Sequence, residues 1–290
     1  MKIPVLLNSK AGALHATAGQ EEILKVAESI GLEVEVVPTE SPEEMRRMLR
    51  SLLGLGHTKI AVAGGDGTVK LAVQEMAFSQ AALGIIPQGT ANNFATALRL
   101  HQELPAALGV VADGQVHEVD LGKIGDRYFT EAAGVGFFAD ALVLYGARSG
   151  KNVFRALYTL FRLLTAFHAH RIKLTADDKV IQERAVMCTA ANTFRMGLGE
   201  PVAPGARLTD GVLDVVVVGD LSRREMIQYY RAMKAQAHLD LPKVTRIRAK
   251  KILIESRHRM AVHCDDAIIG TTPVTITAVA KALKVLVEKL

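Results

Sequence analysis

The sequence lacks the features that would place it outside ordinary globular proteins. Two cysteines, Cys188 and Cys264, in 290 residues cannot build a disulfide framework, and they do not sit at metal-ligand spacing. Reduced thiols in a cytosolic protein are expected. The nine histidines form no zinc pattern, and no Ser-His-Asp arrangement is recognisable. His263 is expected to be solvent-exposed or hydrogen-bonded rather than catalytic. There is no Gly-Lys-Ser/Thr of a P-loop and no spaced dinucleotide fingerprint. Long apolar runs are also missing. The longest uncharged stretch, residues 76–98, contains Gln80, Pro87, Gln88, Asn92 and Asn93, which excludes a membrane span there. The apolar run at the N-terminus is too short for a signal peptide, and no lipidation motif is present.

What is present is ordinary in bulk and uneven in detail. Apolar residues make up 49% and charged residues 22%, as in globular domains, and the length suits two domains or one large one. A net charge of +5 does not indicate a nucleic-acid partner. Between residues 221 and 260, however, eleven Lys or Arg stand against three acids, a local balance of +8. Such a region fits an acidic surface or a phosphorylated ligand, or else a solvated face.

The first 120 residues alternate short apolar runs with helical patterns. Strands are expected at 3–7, 34–37, 59–63 and 83–86, and helices at 21–30, 69–78 and 91–98, with Ser41-Pro42 opening another. That alternation predicts a parallel sheet covered on both faces. After Gly122 the pattern changes to many strands with short turns, which predicts a β-sandwich. Strands are expected at 116–123, 127–132, 171–175, 180–189, 212–218, 252–255, 260–263 and 274–277, and helical stretches at about 138–164 and 223–237. The domain boundary is expected near Gly122, with no low-complexity linker.

The sharpest local feature is Gly64-Gly65-Asp66-Gly67-Thr68, between a strand and a helix. Glycines let backbone N–H groups approach an anion closely, and the following helix turns its positive end toward it. Thr68 can donate a hydroxyl hydrogen bond to a phosphate. Asp66 would repel a phosphate unless it faces Mg²⁺, a metal-bound water or backbone donors, so the set suits an Mg²⁺-nucleotide site. The next βα turn, Pro87-Gln88-Gly89-Thr90-Ala91-Asn92-Asn93-Phe94-Ala95, repeats the logic. Both turns lie beyond the carboxyl ends of parallel strands, where open α/β sheets bind ligands. Asn8, Ser9 and Gly12 end the first strand and offer a third wall. Farther on, Asp210-Gly211 before a β-branched run reads as a hairpin turn, and Asp265-Asp266 reads as a polar turn between strands.

These residues carry a family resemblance. The chain resembles the lipid kinases that share the diacylglycerol kinase catalytic domain, including bacterial diacylglycerol kinases and the sphingosine and ceramide kinases. Asn8 to Gly12 is similar to the family's Asn-Pro-x-Ser-Gly opening, with Ser9 in place of Pro. Gly64 to Thr68 matches Gly-Gly-Asp-Gly-Thr, and Pro87 to Ala95 matches Pro-x-Gly-Thr-x-Asn-x-Phe-Ala. Asp120-Leu121-Gly122, Ala133 to Phe137, Asn192, Gly197, Gly199, Pro204, Ala206, Asp210-Gly211 and Leu213-Asp214 follow the family order, so the likeness covers nearly the whole chain.

The resemblance implies an N-terminal Rossmann-like nucleotide domain over residues 1–122, with 280–290 returning to it. A β-sandwich lipid-substrate domain over 123–279 follows, with the active site in the cleft. It implies ATP contacts at Asn8, Thr39, Gly64, Gly65, Asp66, Gly67, Thr68, Val69, Lys70, Gly89, Thr90 and Asn92. It implies a structural Mg²⁺ on Asp210 and the backbone carbonyls of Arg207 and Val212. It assigns the catalytic base to Asp265, the Asp of the family's Asp-Gly-Glu. Here Asp266-Ala267 replaces Gly-Glu, Asn93 stands where bacterial members usually carry Asp, and Glu131 stands where Asn is frequent.

The function implied is an ATP- and Mg²⁺-dependent kinase that phosphorylates the hydroxyl of a membrane lipid such as diacylglycerol. It would be cytoplasmic and peripheral to the membrane. Residues 151–171 and the basic 221–260 region are candidate contacts with an anionic surface, although an amphipathic helix at 151–171 also suits a core. Homo-oligomerisation is left open. The rivals are an NAD kinase-like enzyme, whose Asn-Glu motif is not found here, and a non-catalytic nucleotide- or lipid-binding protein on the same fold.

Overall fold

A computed structural model describes residues 2–9, 16–146 and 167–289, side chains at 16–18 and 145–146 excepted. The chain divides into two compact units, Met1–Leu121 with Ala280–Leu290, and Gly122–Val279.

The first unit is built on β1 (Ile3–Asn8), β2 (Val34–Thr39), β3 (Lys59–Gly64) and β4 (Ala82–Pro87). They are parallel, in the order β2-β1-β3-β4. The end of β15 (Val274–Val287) adds a parallel strand beside β4, with Val285 opposite Leu83. All six residues of β4 are buried, as a strand covered on both faces requires. The helices are α1 (Ala16–Ser29), α2 (Pro42–Gly54), α3 (Asp66–Met76), α4 (Asn93–Ala97) and α5 (Leu104–Asp113). In α2 the expected cap is present: the Ser41 side chain accepts from Glu44 N at 3.2 Å, Pro42 opens the first turn, and Met45, Leu49 and Leu52 form the buried stripe. Helix α5 had no signal in the sequence. Its residues LPAALGVVAD are nearly all apolar, so no polar face marks a period. Ala107, Leu108 and Val111 pack with Val5, Leu7 and Ile23 in one core cluster.

The second unit begins within β5 (Gln115–Ile124), which pairs with β6 (Arg127–Phe129). It continues with β7 (Ala132–Gly136), α6 (Phe137–Gly146), β8 (His170–Ala176), β9 (Lys179–Ala191) and β10 (Leu213–Gly219). Then come α7 (Arg223–Lys234), β11 (Val244–Ala249), β12 (Lys251–Ser256), β13 (Ala261–Cys264) and β14 (Ala267–Thr271). Strand β9 links two layers. Its first half pairs with β8, and its second half lies between β7 and β10. The sandwich core collects Ile172 and Leu174 from β8, Ile252 and Ile254 from β12, and Val215 and Val217 from β10. The alternate residues of β10, Val216 and Val218, pack instead with Met226, Tyr229 and Met233 of α7. Burial on both faces is why that run is continuously β-branched.

Several expected elements differ. The strand expected over 127–132 breaks after Phe129. His170 and Arg171 belong to β8 rather than to an amphipathic helix, and residues 151–166 of that candidate lie outside the described residues. Asp210-Gly211 does not close a tight hairpin. Strand β10 pairs with β9 across the long 192–212 connection, and with β11 on its other side. Strand β11 was not expected. Its Arg246 and Arg248 alternate with Ile247 and Ala249, and the charge masked the period.

Burial pushes the Cys188 thiol up to about 12, so it is inert in the folded chain. Glycine is required where β7 meets β9. A Cβ on Gly134 would strike the Cys188 carbonyl and come within 2.7 Å of the Thr189 Cα, whereas one on Gly109 in α5 would meet nothing within 4 Å. Gly134→Ala should therefore lower the urea midpoint markedly. Gly109→Ala should raise the stability of its unit by about 0.5–1 kcal/mol, as measured by the same denaturation.

Candidate active site

The residues expected to contact nucleotide gather at the carboxyl ends of β1, β2, β3 and β4. Gly65 is the N-cap of α3 and brings no side chain to its first turn. The leading N–H groups of a helix have no partner within it and form an electropositive end. The two glycine turns touch each other. A Cβ on Gly89 would lie 2.6 Å from the Gly65 Cα, and one on Gly65 would lie 3.0 Å from the Gly89 Cα, so neither position tolerates a side chain without displacement. Asn92, left-handed at φ 48°, locks the second turn. Its Oδ1 accepts from Gly89 N at 2.9 Å, and its Nδ2 donates to Gly89 O at 2.9 Å and to Gln102 Oε1 at 2.8 Å. Thr90 stays exposed beside it, and Gln88 N donates to Gly64 O at 2.9 Å.

Asn8 Nδ2 donates to Thr68 Oγ1 at 2.9 Å. With its oxygen accepting, the Thr68 hydroxyl proton is directed elsewhere, in the role of a donor. Thr39 is buried, and its hydroxyl donates to Leu7 O at 3.1 Å, so it braces β1 against β2. Val69 is buried in α3, and Lys70 is half-buried. Asp66 and Gly67 lie in the first turn of α3. Lys10, Ala11 and Gly12 of the opening motif lie outside the described residues.

In the second unit, Asp265 begins the two-residue turn between β13 and β14, with φ 52°. The turn reading holds, and the carboxylate does more than close a turn. Oδ1 accepts from Glu131 N at 2.8 Å and from Ala132 N at 3.1 Å. Oδ2 accepts from Thr130 N at 3.2 Å and faces the Thr130 hydroxyl at 3.4 Å. Asp265 N donates to Ala132 O at 2.7 Å. Buried N–H groups must be paired, and Asp265 pairs those released where the 127–132 strand breaks. Charge-assisted bonds of this kind stabilise the carboxylate.

Glu131, which the residue patterns did not mark as functional, is buried beside this break. Its Oε2 accepts from Gly197 N at 2.8 Å, and its carbonyl accepts from Asn192 N at 2.8 Å. It thereby ties the start of the 192–212 connection to the Asp265 loop. Its one sequence signal was its departure from the family's Asn.

The third predicted set does not fit a resident cation. Asp210 Oδ1 accepts from Val212 N at 3.3 Å, and Oδ2 meets the guanidinium Nη2 of Arg248. Mg²⁺ requires near-octahedral oxygen ligands, and here one carboxylate oxygen faces an amide donor and the other a cation. Among the described residues, no cluster of three His, Cys, Asp or Glu is placed to hold a metal. A shallow concavity of about 500 Å³, lined by Arg171, Lys173, Arg184 and Glu255 among others, lies on β8, β9 and β12, and none of its lining residues is an expected site residue.

Residues 2–124 match the model of the diacylglycerol kinase catalytic domain, and residues 133–287 match that of the YegS C-terminal NAD kinase beta sandwich-like domain. The chain belongs to the kinase family that joins these two domains. A diacylglycerol kinase of Mycobacterium tuberculosis is 28% identical, covering 98% of this chain and 94% of that protein. One of Staphylococcus saprophyticus is 28% identical, covering 87% and 84%. A Bacillus anthracis structure described as a diacylglycerol kinase superposes with a TM-score of 0.76 at 21% identity, over 99% of this chain and 97% of that one, which shows the shared fold.

His263 is not exposed. It is fully buried, its ring meets Phe138 edge-on at 6.4 Å, and its one polar contact among the described residues is a weak one to the Asp265 backbone. Burial holds its pKa down at about 4, against 6.5 for a free histidine. The unfolded chain therefore binds a proton on this residue before the folded chain does. Stability is full above pH 6.5 and falls as pH drops toward 4. The loss from His263 between pH 7 and pH 5 should be about 2 kcal/mol. Urea titrations at the two pH values should show it, and His263→Leu should flatten the dependence.

Proposed function

We propose that the chain is an ATP-dependent lipid kinase that phosphorylates the hydroxyl of a membrane lipid such as diacylglycerol, acting at the membrane surface in the cytoplasm. The observation that carries this reading is the contact of the two glycine turns, Gly65 against Gly89, beside the uncapped start of α3 in a chain of a kinase family. Close backbone approach at a helix N-terminus suits a polyphosphate. Thr68, oriented by Asn8, supplies a hydroxyl donor to it. Mg²⁺ enters as part of the nucleotide substrate, where it neutralises phosphate oxygens, and Asp66 in the first turn of α3 is the carboxylate available to its hydration shell.

In this reading Asp265 is the base. As the lipid oxygen forms its bond to the γ-phosphorus, the bond from that phosphorus to the β,γ-bridging oxygen breaks and ADP leaves with the electron pair. The hydroxyl proton passes to Asp265. Oδ1 accepts from two backbone N–H groups, and Oδ2 accepts from Thr130 N at 3.2 Å and meets the Thr130 hydroxyl at 3.4 Å, the longest of these contacts. In this reading the acceptor hydroxyl exchanges for the Thr130 hydroxyl on Oδ2.

Phosphate transfer from labelled ATP with Mg²⁺ tests this, with diacylglycerol, phosphatidylglycerol, a sphingoid base, ceramide and NAD as parallel acceptors. Label should enter a lipid. Asp265→Asn should reduce transfer about 10²–10⁴-fold while ATP still binds, and Gly89→Ala should weaken ATP binding itself. Unchanged transfer in Asp265→Asn would remove the base from the scheme. Label in NAD alone would favour the NAD kinase-like reading, and bound ATP without any transfer would favour a binding protein.

A further inference from the structure

Four of the eleven cations between residues 221 and 260 pair with carboxylates of the fold. Lys234 pairs with Glu200 at 2.7 Å, Lys243 with Glu225 at 2.9 Å, and Arg246 with the buried Asp214 at 2.6 Å. Arg248 completes the series on Asp210. The β10–β11 register explains the last two pairs. Asp214 lies opposite Arg248 and Val216 opposite Arg246, so both guanidinium groups leave β11 on the face that carries the Asp214 side chain. A Cβ on Gly205 would lie 3.4 Å from Arg246 Nη2, so the loop before the turn runs directly over that arginine. Arg246 thus meets both ends of the 205–214 segment, and Arg248 holds its middle at Asp210.

We infer that the Arg248 guanidinium is the resident cation of the 207–212 turn, taking at Asp210 the place that a divalent metal would otherwise occupy. The turn needs positive charge at Asp210 because Gly211, at φ 71°, directs the chain into β10 with the Asp210 carboxylate four-fifths covered. A planar fork on β11 supplies that charge at fixed register, with no ion to be bound from solution. The turn is therefore indifferent to divalent cations in the absence of nucleotide. The inference does not depend on the kinase reading, since no reacting group takes part.

Mn²⁺ binding to the nucleotide-free chain, followed by electron paramagnetic resonance, tests it. The native chain and Asp210→Asn should bind the same amount of Mn²⁺. Arg248→Gln should take up one further equivalent, and Arg248→Gln with Asp210→Asn should lose it. An equivalent on the native chain that Asp210→Asn abolishes overturns the inference, as does the absence of any gain in Arg248→Gln. Thermal unfolding gives a second measure. A chelator should leave the native midpoint unchanged, while Mg²⁺ should raise the Arg248→Gln midpoint by roughly 2–4 °C. A native midpoint that falls with chelator overturns it. Arg248→Lys keeps a cation in place and should behave as native even where Arg248→Gln fails to fold, and extra Mn²⁺ there counts against the inference.

Discussion

The sandwich unit depends on one carboxylate pairing backbone that the sheet cannot pair. Between Phe129 and Ala132 the chain leaves one strand and enters another, and three successive N–H groups, at Thr130, Glu131 and Ala132, point at Asp265. Left unpaired, each such group would cost about 1–3 kcal/mol. An Asp in left-handed conformation at the β13–β14 turn meets all three, and its own N–H returns a bond to Ala132. The same loop then fixes Glu131, whose carboxylate and carbonyl anchor the 192–212 connection. The residue proposed as the base is thus a structural clamp. Those bonds limit how far the carboxylate can move.

The first unit rests on a different constraint, that of close approach. Parallel strands end at nearly the same level, and their turns compete for the space above the sheet. Glycine at 65 and 89 lets the two turns meet backbone to backbone. Asn92 then holds the second turn by bonds in both directions, so the space is shaped by main chain rather than by mobile side chains. Thr39 and Asn8 tie the neighbouring strand ends to this frame through Leu7 and Thr68. A polyphosphate is recognised well by such a surface because N–H groups fixed by packing need no reorganisation when the anion arrives.

How much of this was legible followed from how local each signal is. Ser41-Pro42, the glycine turns and the β-branched run before Gly219 state their structure within a few residues, and the structure agrees with them. Helix α5 was illegible because an apolar face on every side leaves no period. Strand β11 was illegible because its arginines looked like a charge cluster, and only the register with β10 reveals them as one face. The break at Thr130 could not be read because its cause, Asp265, lies 135 residues away. The burial of His263 was hidden for the same reason. Nothing near it in sequence announces that Phe138 covers its ring.

These failures share a form. Sequence reading treats a charged residue as facing solvent until a partner is named, and here the partners come from distant strands. Arg246 and Arg248 carry charges that look available to an acidic surface. Asp214 is almost wholly buried, so its pairing with Arg246 cannot be given up cheaply to an external anion, because a buried carboxylate left without its cation is costly. Pairing with Glu200, Asp210 and Asp214 lowers the surplus charge of the 221–260 stretch, while Arg223, Arg224, Arg231, Lys250, Lys251, Arg257 and Arg259 stay exposed. Attraction to an anionic surface has to come from residues outside these pairs. Among the described residues, Arg171 on β8 and Arg184 on β9 stand opposite one another in register, and Arg257 lines the same concavity. Arg184 is partly neutralised by Asp220, so even there the field is modest and is screened beyond about 10 Å at ordinary salt. The paired charges of this stretch, Arg246 on Asp214 and Arg248 on Asp210, hold the connection that enters β10.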